Sequence, residues 1–235
     1  MIMKNGFKSF IHAMLVLLLP TALVFVSCKR EDEDKQQDNA PSHVEAVDLG
    51  LSVKWASCNI GASTPEGAGA YYAWGETEEK EEYTPLTYKY YWGDLNEDGN
   101  YNNSEEYKNI GDDISGTAYD VIRTKWSGTG RMPTKEEFEE LCLNCSWEDT
   151  EINGVKGKLV TGPNGNNIFL PCTGIYTGAQ ISNGADGLGV YLSASIGSYQ
   201  PYAYSILFMH GDIVSGDRGR DASRSNGMVI RPVKE

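Results

Sequence analysis

One well-capped helix signature stands in a body otherwise punctuated by glycine and asparagine turns, and this contrast restricts the fold class. Thr134 is placed as an N-cap and Glu137 completes a capping box three residues later, so a helix is predicted over residues 135–144. Phe138, Leu141 and Cys142 give it an apolar face. A second, shorter helix is predicted over residues 117–125, with Ala118, Val121 and Ile122 on one side. Elsewhere short apolar runs alternate with turn residues. Asn153-Gly154 is a hairpin turn between residues 150–152 and 155–161. Pro163-Asn164-Gly165 turns the chain into residues 168–170. Strands are expected at 47–51, 53–56, 71–74, 88–92, 190–193, 202–209 and 228–230. Two helices among many short strands make an α+β body with long loops.

The N-terminus lies outside that body. Lys4 and Lys8 precede an apolar run over residues 10–26, broken by Pro20, and small Ser27 precedes Cys28. A basic start, an apolar run and a small residue before a cut form a secretory signal. A cysteine at the cut resembles a bacterial lipobox, although Phe25 is an unusual residue there, and the resemblance implies lipidation of Cys28. The alternative is an uncleaved membrane helix, since the run approaches the roughly 20 residues that span a bilayer. The position of the cysteine favours the lipoprotein. Residues 1–27 are thus expected to be a signal peptide, and 28–43 a lipidated cysteine with a flexible, acidic tether. Residues 44–235 are expected to form one domain.

Removing the first 27 residues from 235 leaves 208, and losing Lys4 and Lys8 takes the formal charge from −13 to −15. Such an acidic body excludes nucleic acid as a partner and disfavours adhesion to anionic lipid. Cys58, Cys142, Cys145 and Cys172 remain beside Cys28. An even number in an exported chain suits two disulfides in any of three pairings, and buried free thiols are the alternative.

Residues 94–105 carry the pattern of a twelve-residue calcium loop. Asp94, Asn96 and Asp98 place oxygens at positions one, three and five, and Gly99 supplies the turn at six. Asn100 offers its carbonyl, Asn102 reaches at nine, and Glu105 closes the site with two oxygens. Calcium needs many hard oxygen ligands around one point, and this spacing wraps them there. The alternative is an Asx-rich turn without an ion. Pro85 and the aromatics of 88–92 precede the loop, so two flanking helices are not expected, and the ion is read as a structural brace for an insertion.

Five strings occur in order: VDLGLSVKWASCN at 47–59, AWGET at 73–77, RMPTKEEFEEL at 131–141, IFLPCTG at 168–174 and VIRPV at 229–233. Together they resemble the Fibrobacter succinogenes major paralogous domain, common in lipoproteins of Bacteroides-like bacteria. The Arg-Met-Pro-Thr helix element and the terminal Arg-Pro-Val are also similar to the formylglycine-generating-enzyme family. That relation implies a C-type-lectin-like fold, with a small twisted antiparallel sheet, two helices and long irregular loops. Arg131 is expected to tie loop carbonyls or a carboxylate, since a planar five-donor group can hold several segments. Trp55, Trp74, Trp126 and Trp147 are expected in the core.

The enzyme branch of that family uses a reactive cysteine pair late in the chain. Here no cysteine follows Cys172. His210 has no nucleophile-elbow string beside it. Gln200-Pro201-Tyr202 departs from the calcium-dependent sugar motif of C-type lectins at its third position. The chain is therefore expected not to be an enzyme but a surface-displayed lipoprotein that binds an extracellular protein or glycan in adhesion. Tyr199, Tyr202, Tyr204, His210, Asp212, Arg218, Arg220 and Arg224 are its candidate contacts. The alternative is a structural subunit of an outer-membrane surface assembly; a hydrolase ranks third. Lys29-Arg30 followed by four acidic residues resembles the surface-export signal of Bacteroides-type lipoproteins, which implies an anchor in outer-membrane lipid with the domain facing outward.

Overall fold

Asn153 and Gly154 adopt φ of 50° and 83°, the left-handed pair that a two-residue hairpin loop requires. The hairpin over residues 146–161 is built on them. The computed structural model describes residues 44–93, 106–126, 128–182, 187–212 and 219–235, all within one contact unit. Twelve strands and two α-helices occur among them. The strands are β1 (Ala46–Val47), β2 (Lys54–Ala56), β3 (Gly130–Arg131), β4 (Ser146–Ile152), β5 (Val155–Thr161) and β6 (Asn167–Pro171). They continue as β7 (Ile175–Thr177), β8 (Gln180–Ser182), β9 (Leu188–Ile196), β10 (Tyr202–Met209), β11 (Gly219–Ser223) and β12 (Val233–Lys234). The helices are α1 (Val121–Lys125) and α2 (Lys135–Asn144).

The protein is a mixed α+β fold with mostly antiparallel strands. A single small sheet was the expectation; the strands instead divide into four, ordered β1-β2-β12-β3, β11-β10-β9, β4-β5-β6 and β7-β8. Short strands and local turns prevent a continuous ladder. The expected strand over 47–51 stops at Asp48, whose carboxylate accepts the Gly50 N–H at 2.8 Å and bends the chain. The run 71–74 contributes one bridge, in which Tyr72 and Met228 exchange both backbone hydrogen bonds. Met228 to Ile230 likewise bridges rather than forming a strand. Strand β12 sits between β2 and β3 and closes the two ends of the described body on each other, with Val233 opposite both Trp55 and Arg131.

Helix α2 begins as its capping box dictates: Thr134 accepts from the Glu137 N–H, and Glu137 accepts from the Thr134 N–H at 2.8 Å. It buries Phe138, Leu141 and Cys142, and the Phe138 ring lies 5.3 Å from that of Trp55. Helix α1 is shorter than expected because Asp120, not an earlier residue, caps it and accepts from Ile122 and Arg123 N–H. The core joins both helices to the sheets. Trp55, Trp74 and Trp126 are buried in it, and Trp147 packs against it.

Arg131, Arg224 and Arg231 tie loops across this core. Arg131 makes the expected pair, donating to both Glu137 oxygens at 2.6 and 2.8 Å and to the Met132 carbonyl at 3.3 Å. Arg231 is fully buried and donates to Asn59 Oδ1, the Ala56 carbonyl and the Phe169 carbonyl at 2.8–2.9 Å. Burial pushes its guanidinium below the ordinary value. None of the four described cysteines is joined in a disulfide, in place of the two pairings that an exported chain suggested. Burial raises Cys145 and Cys172 to about 11, so both stay protonated at neutral pH.

Candidate ligand-binding cleft

A cleft of about 310 Å³ opens where α2 meets the β9–β10–β11 sheet. The sequence builds it from three separate segments. Pro133 and Thr134 bring the first residue of α2 against the end of β9, where the Ala194 N–H donates to the Pro133 carbonyl at 2.7 Å. The Lys135 N–H donates to Ser195 Oγ at 2.9 Å and locks the helix start to the strand. Beyond β9 the chain turns at Gly197. A Cβ there would lie 2.5 Å from Asp221 Oδ1 and 2.9 Å from Tyr202 Cβ, so glycine permits the loop to close on the sheet.

Asp221 holds that loop: both carboxylate oxygens accept the Ser198 N–H, at 3.0 and 3.1 Å. In the ladder Tyr204 stands opposite Asp221, and Tyr202 opposite Ser223, so the two tyrosines and Asp221 share one sheet face. Tyr204 is 7% exposed and lies at the floor; Tyr202 is 39% exposed at the rim. Lys135 Nζ sits 5.3 Å over the Tyr204 ring and 3.6 Å from Glu139 Oε1. Arg220 also borders the cleft. Two cations and two carboxylates are thus balanced around a space with an aromatic floor. A smaller hollow of about 140 Å³, walled in part by Trp126, Pro232 and Val233, lies where the first described segment begins.

The eight candidate contacts separate. Tyr199 is exposed, Tyr204 and Arg220 line the cleft, and Tyr202 stands beside its Gly197 wall. His210 and Asp212 follow the other end of β10, about 25 Å along the strand from Tyr202. His210 Nδ1 approaches Asp149 Oδ1 at 3.2 Å without the alignment of a hydrogen bond. Asp149 also holds Lys158 Nζ at 2.7 Å, and the Asp212 carbonyl accepts from the same ammonium. That end of the strand is a structural ion cluster. Arg218 lies outside the described residues.

Arg224 corrects the expectation most clearly. It is fully buried, and its guanidinium donates to Tyr88 Oη, the Gln200 carbonyl and the Lys108 carbonyl, each at 3.1 Å. It also lies 4.5 Å over the Trp74 ring. It pins loops in the core and is neither a ligand contact nor solvated charge. Conversely, Lys135, Ser198 and Asp221 were not among the candidates. They are far apart in sequence, and no motif joins them; only the 202–204 alternation hinted at this face.

The six proposed calcium ligands and Cys28 lie outside the described residues. At the edges of residues 94–105, the Trp92 N–H donates to the Glu106 carbonyl and the Lys108 N–H to the Tyr90 carbonyl, at 3.2 and 2.8 Å. Tyr91 bridges Tyr107, and its hydroxyl donates to Glu106 Oε2 at 2.9 Å. The chain on the two sides of residues 94–105 is thus paired through this single bridge and its neighbouring hydrogen bonds. Among the described residues no group of three histidine, cysteine or acidic side chains is placed to hold a metal, and no helix is long and apolar enough to cross a membrane.

Comparison of the chain with protein-family models, curated proteins and solved structures found no match.

Proposed function

We propose that this chain is a non-enzymatic binding module of C-type-lectin-like fold, anchored by a lipidated Cys28 in the outer membrane and displayed outward for adhesion. The cleft between α2 and β10–β11 is its ligand seat. The observation that carries this reading is convergence: Lys135, Tyr204 and Asp221 come from three elements to one opening, and Tyr202 stands beside its Gly197 wall. Aromatic surface beside balanced charge is the composition of recognition sites.

Calcium in the 94–105 loop braces the insertion. Outside the cell even a site with a dissociation constant of ~10⁻⁴ to 10⁻³ M is filled. The paired chain at residues 90–92 and 106–108 supports this reading, because it holds the two loop ends together.

The test is binding of the purified full-length chain, in detergent, to arrays of immobilised glycans and host extracellular proteins. Saturable retention that weakens on Tyr202→Ala is expected. Silence on both arrays overturns the binding reading.

A further inference from the structure

We infer that the cleft recognises a neutral saccharide through vicinal hydroxyls, without a metal at the contact. The inference rests on the binding reading above and names its ligand class. Three features of the cleft carry it.

The first is the pairing of an acceptor with a donor. Asp221 uses both oxygens on the Ser198 N–H, yet a carboxylate has about four lone-pair sites, so acceptor capacity remains toward the cleft. Lys135 brings three N–H donors over the Tyr204 ring. Adjacent sugar hydroxyls are each donor and acceptor. One donates to Asp221 while its neighbour accepts from Lys135, and both charges are then satisfied by one neutral group.

The second is the aromatic rim. Tyr202 shares the Tyr204 face and is partly exposed beside the cleft. The negative face of an aromatic ring attracts polarised C–H bonds, and the flat C–H face of a pyranose presents several together. The third is charge and size. Lys135 and Arg220 are balanced by Glu139 and Asp221, in a chain of formal charge −13, so a polyanionic glycan gains little and is repelled at range. A volume of about 310 Å³ sits at the small-ligand end of the range for pockets, whereas a protein partner needs roughly 800 Å² of surface on each side. The site is also built in advance: the Ser195 and Asp221 hydrogen bonds fix helix, loop and strand, which limits the ordering cost of binding a weak ligand.

The experiment is an array of neutral, uronic-acid-bearing and sulfated oligosaccharides beside immobilised host proteins, probed with the full-length chain and followed by titration of the strongest-retained neutral sugar. Retention of neutral sugars is expected. Asp221→Asn and Tyr202→Ala should each weaken binding about tenfold or more, and Lys135→Gln several-fold. Leu86→Ala, at an exposed position away from the cleft, leaves it unchanged. A thermal melt of each variant checks folding. If Asp221→Asn loosens the 197–201 loop, Lys135→Gln, which retains its backbone hydrogen bond, carries the test.

Preference for acidic glycans, or neutral-sugar binding that survives Tyr202→Ala and Lys135→Gln, overturns the inference. Protein capture that depends on Tyr202, with no saccharide retained, overturns it while leaving the cleft as the ligand seat. Silence throughout overturns both.

Discussion

Arg231 shows how much a single side chain ties together here. Its guanidinium is fully buried and meets three neutral oxygens, from Asn59, Ala56 and Phe169. A buried charge without its partners is costly, and buried acceptors without a donor cost about 1–3 kcal/mol each. Arg231→Met therefore lowers unfolding stability by about 3 kcal/mol or more, read from chemical denaturation. A loss below about 1 kcal/mol would show that water replaces the guanidinium at those carbonyls. The residue scale was only partly legible in sequence. Arg131 could be read, because its carboxylate lies six residues away in the capping box. Arg224 could not: its partners Tyr88, Lys108 and Gln200 are far off in the chain, and nothing local marks an arginine that will be buried. The cleft residues Lys135 and Asp221 were hidden for the same reason, since only the packing of α2 against the β9–β10–β11 sheet brings them together.

Local turn and cap chemistry made elements legible wherever it was strong. The Thr134–Glu137 box starts α2, and Asn153-Gly154 sets the register of β4 on β5. Strands β7, β8 and β11 escaped, as did the two-residue β3 and β12. The first two are three-residue pieces around Gly178-Ala179, and β11 reads Gly-Arg-Asp-Ala-Ser with no apolar alternation. As an edge strand, it owes its conformation to the β10 partner rather than to its own sequence.

The β4–β5 hairpin carries the cross-strand pair Asp149–Lys158, in which the lysine is 1% exposed. Removing the acid alone strands a buried ammonium. Asp149→Asn should destabilise by about 2 kcal/mol, discounted from the range for buried pairs because part of Asp149 is open to water. Lys158→Met, which removes the buried charge, should cost less. The reverse order in denaturation midpoints would contradict this. Burial alone would raise Asp149, but hydrogen bonds from Lys158 and Gly211, with the charges of Lys158 and His210, hold it below its ordinary 3.8. Its folded value being depressed, its contribution is present above 3.8 and is lost as pH falls through the lower folded value. In Asp149→Asn that part of the acid dependence disappears. The 94–105 insertion makes a separate prediction. Calcium titrated into chelator-treated full-length chain releases or absorbs heat and raises the melting temperature; neither change occurring would refute the brace.

At the scale of the molecule, β12 between β2 and β3 fastens the C-terminal end of the domain beside the first described strands. The proposed lipid anchor at Cys28 makes two predictions at this scale. Cys28→Ser should leave the protein unlipidated and shift it out of the membrane fraction. In intact cells carrying the natural sequence, added protease should release the domain; full protection would show that it faces inward.

Hydrogen–deuterium exchange of the full-length chain with and without an array-retained oligosaccharide tests most directly whether the cleft is the ligand seat. Slower exchange is expected at residues 196–204 and 219–223 and at the start of α2. Protection confined to other segments, with those unchanged, would contradict the assignment of the ligand seat.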